Sequence, residues 1–338
     1  MESRKSLTVD VLEFEGSAHE FGVLQGKQLK IGPAFEIMKQ MQQQVDSNKA
    51  VQLLQEISPD FLNELKGLAK GSNFDVETTI QLFSGFDVVM PPMGCSSYAE
   101  NSYYVRNYDF SDKLYDAKFI VYKPTSGYAS VGFSQQILGR LDGMNEKGLV
   151  IGLHFVNEKY AGEGFLATTI CRLVLDNCAT IDEAVELIRK IPHRFCYNFS
   201  ILDQDGKTAF IEAAPGEQNV HYNSPLTCTN HFEFIMLESR NREMLAGSLN
   251  RKRYMQTLSK KRLEPMSAYR TFNDEKSPLF FKHYEEFFGT LHTVVYCPED
   301  LTVIIGIGGN CEPYVFSFQD WLEGKGGLPE VMEGFISK

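Results

Sequence analysis

The sequence predicts an α+β protein built from two antiparallel sheets covered by helices. Three observations carry this expectation. Apolar residues keep a helical spacing from Ala18 to about Leu82, then change to a period of two after Cys95. The strand patterns that follow come in hairpin runs rather than one at a time between helices. Helical patterns cluster between those runs, which argues against a doubly wound parallel fold.

Taken in order, Leu7 to Phe14 alternates like a strand. Helical segments follow, and Ser58-Pro59 supplies a cap with proline at the first helical position and Gly71 a stop. Asp75 with Thr78 opens a helix running towards Val89, which the pair Pro91-Pro92 ends, because a residue before proline avoids the helical region. Residues 1 to about 90 therefore read as mostly helical. Three hairpins come next, turning at Glu100-Asn101-Ser102, at Thr125-Ser126-Gly127 and at Met144 to Lys147. Helices are expected at about Phe165 to Asn177 and after a capping box at Thr180 and Glu183. Strands return at "YNFSILD", "TAFIEAA" and "LTCTNHF", with Asp205-Gly206 as a turn. A helix over Arg240 to Lys260 precedes a final hairpin, "TLHTVVYCPEDLTVIIGIGG".

The chain has 338 residues and a formal charge of −11, with no basic run longer than Lys260 to Arg262, so nucleic acid and anionic membrane surfaces are not expected partners. No segment approaches the ~18 apolar residues of a membrane span, and the first residues lack the apolar centre of a signal peptide. A cytoplasmic protein is expected. The 7 cysteines show no CxxC pairing, which indicates neither a disulfide framework nor a zinc cage. There is no HExxH, Asp203-Gln-Asp205-Gly is too short for a calcium loop, and "GIGG" near Gly306 lacks the strand–loop–helix setting of a dinucleotide site. No metal or cofactor is expected. Cys171 and Cys178 read as core thiols.

Cys95 stands apart, at the start of a strand pattern rather than inside it. Thiolate chemistry needs a base for the thiol proton, a cation that favours the anion, and donors for a developing oxyanion. Arg106 and Asp109 come back alongside Cys95 across one hairpin. By themselves these residue types are more often a buried, unreactive thiol beside a structural ion pair.

"GCSSYA", "VRNYDF", "LDGMNEKGLVIGLHFV", "TCTNHF", "SLNRKRY" and "GTLHTVVYCPED", in this order, resemble the penicillin acyltransferase-type branch of the N-terminal-nucleophile hydrolases. The choloylglycine hydrolases are a more distant resemblance. "EFGVLQGKQLK" and "FLNELKGLAKG" resemble the pro-segment of that branch, so the likeness spans almost the whole chain. It implies a four-layer α/β/β/α sandwich. It also implies self-cleavage at Gly94-Cys95, with residues 1–94 as a largely helical pro-segment or small subunit and 95–338 as the catalytic domain. The implied activity is that of a cysteine amidohydrolase or acyltransferase. It would act on a linear acyl amide through a Cys95 thioester, with the new α-amino group as base. The implied partners are this small-molecule substrate and the cleaved pro-segment, and the sequence leaves self-association open.

The resemblance implies further roles. Asp109 would hold the Cys95 amine or thiol, Arg106 would add positive charge, and Asn230 would contribute an oxyanion donor. Arg251 would steady the constellation, with Arg253 as a register alternative. Without the resemblance, Asn230 reads as a turn cap and the arginines as a solvated helix face. His154 falls where choloylglycine hydrolases have a second oxyanion asparagine. Phe287-Phe288 replaces a Ser-Arg pair of one acyltransferase pattern, so a polar acceptor contact gives way to an apolar one. The alternatives are a bile-salt hydrolase, an unprocessed inactive binding protein of the same fold, and a cysteine protease using Cys95 with His154.

Overall fold

A computed structural model describes residues 4–30, 39, 45–89, 91, 93–100, 102–286 and 288–337. Pro92, Asn101 and Phe287, each singled out in the sequence, lie outside the described residues. The chain opens with β1 (Arg4–Gly16), longer than the alternation suggested, and α1 (Ala18–Lys27), whose capping box joins Ser17 and Glu20. Next come α2 (Ser47–Ile57), α3 (Pro59–Ser72) and α4 (Val76–Phe83). Ser58 and Asp75 cap α3 and α4 as their side-chain chemistry dictates. The helix α3 runs one residue past Gly71 and closes on a left-handed Asn73, while α4 stops at Phe83 rather than reaching Val89. Gly85 (φ 74°) and Asp87 (φ 52°) turn the chain out of helix, and backbone bonds tie Asp87 to Gly164 and Leu166 to Gly85.

From Gly94 the chain is largely strand: β2 (Gly94–Glu100), β3 (Tyr103–Phe110), β4 (Lys118–Pro124), β5 (Ser130–Gln135), β6 (Gly139–Arg140), β7 (Asp142–Asn145) and β8 (Val150–Asn157). Two helices, α5 (Ala167–Asn177) and α6 (Ile181–Lys190), precede β9 (Cys196–Leu202), β10 (Thr208–Ala214), β11 (Glu217–His221) and β12 (Leu226–Cys228). Then come α7 (Ala246–Leu258), α8 (Pro265–Asn273), β13 (Lys282–His283), β14 (Phe288–Cys297), β15 (Thr302–Ile307), β16 (Tyr314–Ser317), α9 (Phe318–Leu322) and β17 (Val331–Ser337). The expected helix over Arg240 to Lys260 begins only at Ala246, because Asn241 instead clamps its side chain onto the backbone of Phe232.

One sheet runs β11-β10-β9-β8-β7-β5-β4-β1-β17, with β6 on β5, and the other runs β12-β2-β3-β14-β15-β16, with β13 on β14. Their inner faces meet through buried polar contacts such as Tyr104 with Ser200 and Arg106 with Asp142. The outer face of the larger sheet carries α5 and α6, and Asn145 donates to the carbonyls of Leu175 and Cys178. The outer face of the smaller sheet carries α7 and α8, where Asn107 donates to the Phe272 carbonyl. The molecule is thus a four-layer α/β/β/α sandwich. With both faces of each sheet covered, β3, β8, β9 and β10 are buried along their whole length.

Among the described residues every pairing between two of these strands is antiparallel except β1 with β4, where Asp10 to Gly16 run parallel to Lys118 to Pro124. The purely antiparallel expectation fails here because β1 reaches β4 by a long crossover, which leaves no turn signal. β1 also pairs with the C-terminal β17. Residues before Gly94 therefore supply an interior strand of the larger sheet as well as helices.

The helices α1 and α3 touch backbone to backbone at Gly22, Gly26, Gly67 and Gly71. A Cβ on Gly67 would stand 2.0 Å from the His19 carbonyl oxygen, and one on Gly22 2.0 Å from that of Glu64. Gly67→Ala should therefore push the helices apart and lower unfolding stability by about 1–3 kcal/mol, even though alanine is the better helix former. Gly247, with nothing within 4 Å of its Cβ position, is the control. Denaturant melts showing both substitutions neutral would refute this reading of the contact.

Candidate active site

The β2–β3 register sets Gly94 opposite Asp109, Cys95 opposite Tyr108 and Ser97 opposite Arg106. Side chains alternate across a strand, so Cys95, Ser97 and Arg106 face the other sheet while Gly94, Ser96 and Asp109 face α7. The expected group is gathered at one strand start but divided by it. The Cys95 thiol lies on one face and the Asp109 carboxylate on the other, with the Gly94–Cys95 peptide between.

On the inner face Arg106 Nη2 donates to Cys95 Sγ at 2.9 Å and to the Leu153 carbonyl at 2.8 Å. Burial pushes the thiol up to about 12, against the pull of Arg106. Arg106 Nη1 donates to Asp142 Oδ2 at 2.5 Å, and Tyr296 donates to Asp142 Oδ1 at 2.6 Å. Burial alone would raise the Asp142 carboxyl, yet Arg106, His292 and Tyr296 hold it below its ordinary value. Burial likewise opposes the Arg106 charge, but Cys95 and Asp142 beside it raise its pKa. Gly152 leaves room for this arrangement, since a Cβ there would lie 3.1 Å from Arg106 Cδ and 2.0 Å from the Tyr104 hydroxyl.

On the outer face Thr290 donates to Asp109 Oδ1 at 2.7 Å, while Oδ2 is buried with no hydrogen-bond partner among the described residues. Arg251 Nη1 stands 3.7 Å from that oxygen. Burial raises the Asp109 carboxyl, with Arg251 opposing. A bulge in β14 between Thr290 and His292 lets the first reach Asp109 while the second faces Asp142 on the inner side.

Both backbone groups of Cys95 are held. Its N–H donates to Asn230 Oδ1 at 3.0 Å, and its carbonyl accepts from Arg251 Nη1 at 2.7 Å. Arg251 Nη2 also donates to Asn230 Oδ1 at 2.8 Å, and Asn230 Nδ2 donates to the Phe155 carbonyl at 2.9 Å and the Met93 carbonyl at 3.5 Å. Asn230 and Arg251 are buried against Cys95, whereas Arg253 is exposed on α7.

His154 is buried on β8, but Nε2 contacts Ser97 at 3.0 Å and Ser200 at 2.9 Å, and no hydrogen bond joins it to Cys95 Sγ among the described residues. Burial and Arg106 hold its pKa well below the ordinary value, so the ring is neutral. The cysteine–histidine pair is not assembled. Cys171 and Cys178 sit in the core. Phe288 packs against Gly94, where a Cβ would lie 2.4 Å from its ring. Gly306 is a strand residue of β15, and Asp203 closes the turn before β10. Among the described residues no group of three His, Cys, Asp or Glu side chains is placed to hold a metal ion, and no helix is long and apolar enough to cross a membrane.

Asp142, Tyr296 and Thr290 were not anticipated. The stretch "LDGMNEKG" around Asp142 carries turn composition, and the Asp142 partner Arg106 lies on the other sheet, so no local spacing marks it. As a whole, the arrangement offers a sulfur beside a fixed cation, on a residue whose backbone N–H and carbonyl are both held. An unsatisfied carboxylate oxygen lies on the opposite face.

Residues 97–311 match the model of a family described as acyl-coenzyme A:6-aminopenicillanic acid acyl-transferase. A search of curated proteins gives no match. Among solved structures, the chain is similar to a mutant conjugated bile acid hydrolase from Clostridium perfringens, at 16% identity and TM-score 0.46 over 68% of this chain and 93% of that one. It is also similar to penicillin V acylase from Agrobacterium tumefaciens, at 19% identity and TM-score 0.40 over 66% and 84%. A third is the Caenorhabditis elegans ortholog of N-acylethanolamine-hydrolyzing acid amidase, at 12% identity and TM-score 0.42 over 61% and 93%.

Proposed function

The chain belongs to the acyl-coenzyme A:6-aminopenicillanic acid acyl-transferase family, and from that premise we propose that it is a cysteine amidase which frees its own nucleophile by cutting Gly94–Cys95. The observation that carries this reading is the peptide bond itself. Its N–H side is fixed by Asn230 and the next carbonyl by Arg251, and the unpartnered Asp109 Oδ2 lies on the face to which Gly94 belongs.

In the first step Cys95 Sγ attacks the Gly94 carbonyl carbon, the C–N bond breaks, and the thiol proton passes to the departing Cys95 nitrogen. Water then hydrolyses the thioester, leaving a Gly94 carboxylate, the Cys95 thiol and a Cys95 α-amine. Asp109 Oδ2 would accept from that amine. An α-amine and a thiol have ordinary pKa values of about 8 and about 8.5, so the amine suits proton exchange with sulfur. An acyl amide then transfers its acyl group to Sγ, its nitrogen leaves with the thiol proton, and water releases the acid. Arg106 lowers the cost of the thiolate in this buried place. Asn230 Nδ2 loses its long contact with Met93 when the cut end moves, which frees one N–H for the oxyanion. Phe288 beside Gly94 favours an apolar acyl neighbour and water as acceptor.

Intact-mass measurement and denaturing electrophoresis test the proposal. Purified protein should contain two chains, the larger starting at Cys95, and should hydrolyse members of an acyl-amide panel. A single 338-residue chain that hydrolyses amides would overturn the free-amine mechanism. The cut should also depend on pH. With its thiol pushed up to about 12, Cys95 is protonated at neutral pH, and the thiolate fraction grows about tenfold per pH unit below that value. Cleavage of freshly refolded precursor should therefore accelerate steadily from pH 6 to 9, and a flat profile would exclude attack by a thiolate in equilibrium with solvent.

A further inference from the structure

Arg106 reaches the sulfur from β3 with both ends of its fork in use. Nη2 is shared between Cys95 Sγ at 2.9 Å and the Leu153 carbonyl at 2.8 Å, and Nη1 rests on Asp142 Oδ2 at 2.5 Å. Nε is buried without a hydrogen-bond partner among the described residues. Asp142 is thus the one carboxylate ion-paired with this guanidinium among the described residues. It belongs to β7 on the other sheet and meets Arg106 between the two layers.

The carboxylate is itself placed by β14. Tyr296 donates to Oδ1 at 2.6 Å, and His292 Nε2 stands 3.5 Å from Oδ2. In the β14–β3 register Tyr296 lies opposite Tyr104 and Val294 opposite Arg106, so the strand beside Arg106 carries the groups that aim Asp142 back at it. His292 is fixed in turn. Its Nδ1 meets the Tyr115 hydroxyl at 2.8 Å, and its ring lies flat on that of Phe133, with centroids 3.5 Å apart.

Two charge pairs flank Cys95, Arg106 with Asp142 on one face of β2 and Arg251 with Asp109 on the other. The arginines favour the thiolate and the carboxylates oppose it. The other titratable groups around Asp142 are Tyr104, Tyr115, Tyr296, Cys171 and His292. Burial pushes the first four up and His292 down, so all five are neutral at pH 7. Asp142 therefore cancels part of the pull that Arg106 exerts on the thiol. What it supplies is direction. A guanidinium is pre-organised when its planar fork is bound, and a misplacement of about 1 Å near reacting atoms can lower a rate about 10²-fold.

We infer that Asp142 is a positioning residue, acting through Arg106 to keep Nη2 on the Cys95 sulfur while the thiol becomes a nucleophile. Its effect on rate rests on the amidase reading; the aim of the guanidinium does not. Asp142→Ala leaves Nη1 without its acceptor and lets the fork turn. Asp142→Asn keeps an oxygen for Nη1 and an amide that can donate to the Tyr296 hydroxyl, so it drops the charge and keeps the direction.

Two readouts on the full chain test this. One is the rate of Gly94–Cys95 cleavage in refolded precursor, per folded molecule. The other is the Cβ resonance of Cys95 in [3-13C]cysteine-labelled protein, assigned by its loss in Cys95→Ala. Asp142→Ala should cleave about 10- to 100-fold more slowly than wild type, and Asp142→Asn should recover part of that loss. Both should melt earlier, because a buried arginine has lost its counter-ion. In an Arg106→Gln background Asp142→Ala should lower the rate no further, and the resonance shifts of the two substitutions should not add. If Asp142→Ala does not fold, Tyr296→Phe, which frees Oδ1 and leaves the charge, enters the same cycle with a smaller loss. A normal rate per folded molecule, an Asp142→Asn no faster than Asp142→Ala, or effects that add to those of Arg106→Gln would each overturn the proposal and leave a structural ion pair. A protein that neither cleaves itself nor hydrolyses amides would defeat the amidase reading, and the resonance cycle alone then decides whether Asp142 aims Arg106.

Discussion

Cys95→Ala is expected to remain one polypeptide and to show no amide hydrolysis, a loss of both activities at once. The thiol is the sulfur that touches Arg106, and alanine keeps the small apolar volume, so folding should survive the change. Cys171→Ala and Cys178→Ala, both in the core, should leave processing and turnover in place at some cost in stability. Cys95→Ser keeps an atom able to make the same acyl shift and should process slowly. Intact mass and an acyl-amide assay on the same preparations decide the matter. Full turnover by Cys95→Ala would remove Cys95 from the chemistry altogether.

Asn230→Ala should follow in magnitude. Its amide joins Cys95, Arg251 and the Phe155 carbonyl, so the substitution takes out both a link in the site and the candidate oxyanion donor. Loss of one preorganised donor typically lowers turnover by ~10²–10³-fold, about 3–4 kcal/mol. Turnover is to be measured per folded, two-chain molecule, with the melting temperature recorded beside it. Normal turnover in a protein that only melts earlier would make Asn230 a cap on the strand end.

Much of this was legible in the sequence where the governing interactions are local. Ser58-Pro59, Asp75 and the Thr180–Glu183 box cap helices because their side chains reach backbone donors three residues on. The β2–β3 turn alone decides that Arg106 and Asp109 return beside Cys95. Elements whose partners are distant were harder to read. β17 alternates buried and exposed residues, but it follows a glycine-rich stretch and its partner is at the other end of the chain. β11 and β16 are short and lie at sheet edges, where one neighbour is enough. The contacts of Arg251 and Asp142 run between layers, and spacing along the chain carries no trace of them.

The place of β1 bears on how such a molecule can be made and unmade. β4-β1-β17 joins two strands separated by more than three hundred residues of chain, so this end of the sheet closes only after all the intervening chain has been made. A cut at Gly94–Cys95 would leave those pairings intact and change only what happens after they open. Precursor strands rejoin as parts of one molecule, whereas the two pieces of a cut protein must meet again in solution. Refolding would become second order, and the melting temperature would depend on protein concentration. The cut form would then persist through slow opening rather than ready return.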